Sequence, residues 1–201
     1  MNKTALNISH IELGAKMVNF SNWEMPISYS SLIEEHNAVR NKAGIFDVSH
    51  MGQLFIYGKE NLTKDLENIF PIDLKKLCVN QSKYSFLMNE NAGIHDDLII
   101  TKINEGFMII LNAACKDNDF KILKELLKEK YKMILDENRS LIAIQGPKSS
   151  QILNDLVDGV KDLNFMSGNW FSFENQKLYI TRSGYTAVSY THLRAHETVL
   201  D

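Results

Sequence analysis

Three apolar runs, Tyr84–Met88, Leu98–Ile103 and Phe107–Leu111, follow one another closely and leave the chain few architectures to choose from. The first two flank Asn89-Glu90-Asn91-Ala92-Gly93, whose Asn and Gly content is that of a turn joining antiparallel neighbours. The third, FMIIL, is apolar at every position, as a strand in the middle of a sheet would be. Helices are interleaved with such strands. Ser30 to Ala43 carries a serine cap, Glu34 and Glu35 in the first turn and Arg40 and Lys42 in the last, with Gly44 as its stop. Asn61 to Phe70 and Phe120 to Tyr131 each place Leu and aromatic residues on one stripe, and Lys121 and Glu125 face water on the second. A further helix opens near Pro147 and buries Ile152, Leu153, Leu156 and Val157. Strands are predicted over Ile45 to Tyr57, Leu141 to Ile144, Trp170 to Phe173 and Lys177 to Thr181. Helices mixed with hairpins indicate an α+β fold with mostly antiparallel sheet.

The chain of 201 residues is long enough for a substantial core, and 44% hydrophobic with 23% charged residues it has globular composition. Lys and Arg number 22 against 25 Asp and Glu, a net charge of −3 that argues against binding nucleic acid through bulk positive charge. No segment resembles a signal peptide or a membrane span, so a cytoplasmic protein is expected. Cys78 and Cys115 are far apart and read as buried or half-buried thiols of a reducing compartment.

Several chemistries fall away for want of their residues. Only His192 and His196 share a helical spacing, HEXXH is absent, and no metal site is expected. Neither a dinucleotide-binding glycine pattern, a Walker A loop nor a GxSxG elbow occurs. What remains is His95-Asp96-Asp97-Leu98, where a turn enters a strand. Neighbouring strand residues point to opposite faces, so one carboxylate turns inward. Turn capping accounts for Asp96, whereas an inward Asp97 is costly without a partner. Asp97 is thus the candidate for a catalytic or cation-binding carboxylate.

Six motifs, GAKMVNFSNWEMPISY, EEHNAVRNKAGIFDVSHMGQ, KYSFLMNENAGIHDDLI, LNAACKDND, LIAIQGP and RSGYT, together resemble the glycine cleavage system T protein, from about Leu6 to Thr186 and in the same order. The resemblance implies a folate-binding aminomethyltransferase-type fold of three domains around a central hole. Residues 1–50 and 138–186 would form a discontinuous first domain and 51–137 an inserted second one. The third, β-barrel-like domain is expected to be absent from this chain. The implied activity transfers the one-carbon unit of the aminomethyl-lipoyl H protein to tetrahydrofolate and releases ammonia. It places the catalytic carboxylate on Asp97, and Met51, Tyr84, Asn112, Phe165 and Tyr185 at the folate cavity. A fixed anion there stabilises positive charge at the aminomethyl carbon, or takes a proton from the attacking nitrogen; both roles stay open. A folate-dependent demethylase and a non-catalytic folate-binding relative serving iron–sulfur assembly are the alternatives; intact FDVSHMG and DDL motifs weigh against them.

After Thr186 the pattern is lost. Where the family has an acidic segment contributing a pterin-contacting Glu, this chain reads AVSYTHLRAHETVLD. Residues 187–201 resemble a translated sequencing-library tail and are expected to be non-native, loosely attached and without essential packing.

Overall fold

The computed structural model describes residues 1–184, the Glu60 side chain excepted, and the backbone of 190–196. The chain divides into two compact units, one of Met1–His50 with Asn138–Asp201 and one of Met51–Glu137.

The first unit begins with β1 (Asn2–Lys3), α1 (Asn7–Glu12), β2 (Lys16–Phe20), β3 (Trp23–Ser28), α2 (Leu32–Asn41) and β4 (Gly44–Asp47). β2 and β3 form a hairpin whose turn residues Ser21 and Asn22 both have positive φ, and β1 joins β3 in parallel. The Ser31 hydroxyl caps α2, accepting from the Glu34 amide at 3.3 Å.

The second unit holds β5 (Gly52–Tyr57), α3 (Glu60–Glu67), β6 (Ser82–Met88), β7 (Ile94–Ile103), β8 (Gly106–Leu111), α4 (Lys116–Leu126) and β9 (Lys132–Asp136). The chain then completes the first unit with β10 (Arg139–Gln145), α5 (Ser149–Leu156), β11 (Ser167–Phe173), β12 (Gln176–Ser183) and β13 (Tyr190–His196). Apart from the β1–β3 pair, every strand pairing described is antiparallel.

In the second unit the sheet runs β6-β7-β8-β5-β9, which makes β8 its middle strand. The β6–β7 turn is held by the Asn89 side chain, whose Oδ1 accepts from the amides of Asn91 and Gly93 at 3.0 and 2.8 Å. One face carries Leu54 and Ile56, Leu98 and Ile100, and Phe107, Ile109 and Leu111 into a core closed by Leu62 and Leu66 of α3 and Leu123 of α4. At roughly 25 cal/mol per Å² of apolar surface buried, each such side chain contributes about 2 kcal/mol. Gly52 lets α4 approach β5, because a Cβ there would lie 2.8 Å from the Lys116 Cβ. No helix among the described residues is long and apolar enough to cross a membrane.

Four expectations are corrected. The alternation over Ile45 to Tyr57 reads as one strand, but the chain makes two, β4 and β5, in different sheets. Between them the Ser49 hydroxyl donates to the Leu141 carbonyl and accepts from the Leu141 amide, which ends the β4–β10 pairing with a side chain. In α5 Leu153 is buried, whereas Ile152 is 41% and Leu156 58% exposed; the helix turns one narrow stripe inward, continued by Val157. Cys78 is exposed.

The fourth concerns the stretch 187–201. Rather than hanging loose, the backbone of Tyr190–His196 fills the sheet β11-β12-β13-β10-β4, pairing Ile142 with Leu193 on one side and Ile180 with Leu193 on the other. Judging this stretch by its sparse apolar residues overlooks that a ladder is made by backbone amides and carbonyls, which any proline-free segment supplies.

Candidate active site

The strand β7 divides the two neighbouring aspartates between the faces of its sheet. Asp96 shares parity with Leu98 and Ile100, the face covered by α4, and is buried. Asp97 shares parity with Ile99 and opposes Phe86 across the ladder, on the face that also carries Tyr84, and is half-buried. This reverses the reading from the turn: Asp96 goes inward and is no mere cap, and Asp97 is the more open of the two.

Asn112 follows β8 and spans the sheet between them. Its Nδ2 donates to Asp96 Oδ1 at 2.9 Å and, on the other side, to the Asp97 carbonyl at 3.1 Å and Asp97 Oδ1 at 3.2 Å. The carbonyl of Asn112 accepts from the amides of Cys115 and Lys116 at 3.0 and 2.9 Å, so the turn that fixes Asn112 also starts α4. Tyr84 completes the Asp97 environment. Its phenol donates to Asp97 Oδ2 at 2.8 Å, and its ring, 49% exposed, meets Phe86 edge-on at 5.3 Å between centroids. The hydrogen bond to Asp97 first, then partial burial and the charges of Asp97 and Asp96, hold that phenol above its ordinary pKa. It remains a donor throughout the neutral range.

Behind Asp96 lies Asp119, which the sequence reading misses. It sits in the first turn of α4, 1% exposed, and neither of its oxygens nor Asp96 Oδ2 meets a donor. Burial, followed by the nearness of the Asp96 carboxyl group and its charge, pushes its pKa up to about 7. A helix N-terminus favours an anion by about 1 kcal/mol, whereas a shift of this size corresponds to several, at about 1.4 kcal/mol per unit, so burial wins. Burial and then the charges of Asp96, Asp119 and Asp97 also raise Cys115, which stays a neutral thiol. A signal for Asp119 exists in the sequence. It stands four residues before Leu123 and eight before Leu127, on the apolar stripe and not on the wet face.

The structure thus brings Tyr84 and Asn112 each within hydrogen-bonding distance of Asp97. Met51 is half-buried immediately before β5 in the same unit. Phe165 is 63% exposed and belongs to the first unit, before β11, while Tyr185 lies outside the described residues. Among the described residues no group of three or more His, Cys, Asp or Glu is arranged to hold a metal ion.

The first unit has its own buried carboxylate. Asp47 Oδ2 accepts from His10 Nε2 at 3.0 Å, which leaves His10 Nδ1 to accept from the Tyr29 phenol at 2.6 Å. The Ser49 amide donates to Asp47 Oδ1 at 3.0 Å. Burial works to raise this carboxyl, but the donors of Ser49 and His10 outweigh it and hold Asp47 below the usual carboxylate range. A cleft of about 610 Å³ opens beside it, lined by Tyr29, His36, Val39, Arg40 and Phe46 among others, and by none of the predicted site residues.

An antiparallel sheet with a donor-held carboxylate on one face and a carboxyl pair beneath it places the chain in a class of α+β proteins with a built acidic site. The chain belongs to the GCVT N-terminal domain family, whose sequence profile matches residues 6–189. It is 42% identical over 197 residues to the mitochondrial aminomethyltransferase of Dictyostelium discoideum, and 38% identical over 195 residues to the aminomethyltransferase of Chloroherpeton thalassium. Each alignment covers 92% of this chain and, respectively, 49% and 52% of the relative. The crystal structure of glycine cleavage system aminomethyltransferase T from Bartonella henselae superposes with a TM-score of 0.87 at 36% identity, over 96% of this chain and 53% of that one. The chain therefore spans about half the length of the curated relatives it matches.

Proposed function

We propose that this chain carries the catalytic carboxylate of a glycine cleavage aminomethyltransferase, and that the carboxylate is Asp97. The observation that carries the reading is the convergence of Tyr84 Oη and Asn112 Nδ2 on a half-buried Asp97, in a chain whose relatives are named aminomethyltransferases. Two donors pin the carboxylate in one rotamer while leaving it reachable from the open face. In that arrangement it stabilises positive charge as an amine or thiolate leaves the aminomethyl carbon, with no reorganisation at the moment of reaction.

Tetrahydrofolate is the proposed one-carbon acceptor and the lipoylated H protein the proposed donor. The residues fit a flat, donor-rich ring. Tyr84 presents an exposed aromatic surface, Met51 a half-buried apolar side chain beside the same sheet, and Asp97 an acceptor. Phe165 and Tyr185 are proposed as further folate-binding residues, and residues 1–50 with 138–186 as the discontinuous first folate-binding domain into which 51–137 is inserted in the sequence. Two free thiols suit a reducing compartment, and a cytoplasmic location is proposed.

The experiment is tetrahydrofolate-dependent ammonia release from aminomethylated H protein, with the chain joined to the C-terminal half of a relative. Asp97→Asn should lower turnover by about 10²–10³-fold, the range for removing one electrostatic stabiliser, with folate affinity nearly unchanged. Full turnover in that variant would contradict the role assigned to Asp97.

A further inference from the structure

Asp119 has no place in the chemistry just described, yet burying a carboxyl group without a donor is costly enough to require an explanation. Its partner in isolation is Asp96: Asp96 Oδ2 and both oxygens of Asp119 are all buried and without a donor. Carboxylates are acceptors only, so two that face each other are reconciled when one carries a proton and donates it to the other.

We propose that Asp119 is a positioning residue: as the neutral acid it donates to Asp96 Oδ2, which locks the Asp96 carboxylate so that Oδ1 receives one hydrogen of Asn112 Nδ2 and the other is aimed at Asp97. The hydrogen count agrees. Asn112 has two N–H groups; one answers Asp96 Oδ1 at 2.9 Å and the second is shared between the Asp97 carbonyl and Oδ1 at 3.1 and 3.2 Å. The chain of contacts runs from the core side of the sheet, through its thickness, to the open face. A pKa near 7 for Asp119 means that this proton is present in mildly acidic solution and lost in alkaline. The ionisable groups around the pair include Asp97 and Tyr84 across the sheet, Cys115 before α4, and Lys116 on α4. Lys116 directs its ammonium to Glu137 at 3.2 Å. Loss of the Asp119 proton therefore sets two carboxylates against each other and frees Asp96 to turn, loosening Asn112. The catalytic significance rests on the reading of Asp97 given above; the coupling of Asp119 to Asn112 does not.

The test is the pair of side-chain amide proton resonances of Asn112, followed by ¹⁵N–¹H spectroscopy of the whole chain from about pH 5.5 to about pH 8.5, the window in which Asp119 changes charge. In the wild type both resonances should titrate with a midpoint near 7. In Asp119→Asn, whose amide donates at every pH, they should stay near their low-pH positions throughout. Asp97→Asn should retain the titration, so a failure of the catalytic assignment leaves this result standing. Resonances static in the wild type would overturn the proposal without any variant, and so would an unchanged titration in Asp119→Asn.

Discussion

The two units each bury an aspartate, and they treat it in opposite ways. In the first, Asp47 is ringed by donors, from Ser49 and from a His10 that is itself fixed by Tyr29, and its pKa is held low. In the second, Asp119 faces another carboxyl group, and its pKa is driven up to about 7. Burial acts in the same direction on both; the neighbours decide the sign. A buried charge with enough donors behaves as a structural fastening. One opposed by its own kind is a source of tension, and here it lies behind Asp96, on the face of the sheet opposite the proposed catalytic group.

This contrast can be broken most severely by removing β13. Deleting residues 190–201 opens the edges of β10 and β12 and strips a full ladder from each. The first unit should lose more than about 4 kcal/mol, the range reserved for gross damage, and the Asp47 network with it. Hydrogen exchange should show its amides unprotected while those of β5 to β8, in a sheet that receives no strand from this stretch, keep their protection. Unchanged protection in β10 and β12 would mean that the strand is dispensable.

A smaller loss is expected from His10→Ala, which leaves Asp47 buried without its imidazole donor. Urea unfolding should give about 2 kcal/mol of destabilisation, in the range for removing the donor of a hydrogen bond to a buried charged group. The penalty should shrink as pH falls below about 4, because the Asp47 contribution is present above the unfolded carboxylate pKa and disappears as the folded one is crossed.

Asp119 carries the opposite sign. Its folded pKa lies above its unfolded one, so the stability it contributes is complete below about pH 4 and drains away as pH rises towards 7. Asp119→Asn should accordingly change little at pH 5 and gain about 2 kcal/mol at pH 8, since an amide supplies the donor without the second charge. A variant equally destabilised at both pH values would show that packing alone is at stake. The smallest effect belongs to Tyr84→Phe. With its ring half exposed, the loss of one hydrogen bond to Asp97 should cost less than about 1 kcal/mol in thermal unfolding, even where transfer activity falls.

What was legible in the sequence was local. The Asn89–Gly93 turn announces itself because an Asn side chain can close it alone, and the middle position of β8 follows from apolar residues at every place. The α4 stripe of Leu123 and Leu127 was equally plain, but Asp119 on the same stripe was hidden by the surrounding charges. The break between β4 and β5 has only a weak local signature. Ser49 and His50 interrupt the alternation, and Asp47 Oδ1 accepts from the Ser49 amide two residues on, while the Ser49 contacts with Leu141 come from far along the chain. Membership of Tyr84, Asp97 and Asn112 in one cluster followed from resemblance, since no spacing rule joins residues on three different strands and their ends. Which face of β7 each aspartate takes was set by the register with β6, which the sequence does not state.

The most direct measurement is a ¹³C titration of the aspartate carboxyl carbons in the intact chain, with Asp47 and Asp119 followed in one sample. Asp119 is expected to titrate near 7 while Asp47 stays ionised to below the ordinary aspartate range of about 3.9. Two ordinary titrations near 3.9 would remove the difference between the two buried carboxylates, and with it the reason to regard Asp119 as anything but a packed side chain.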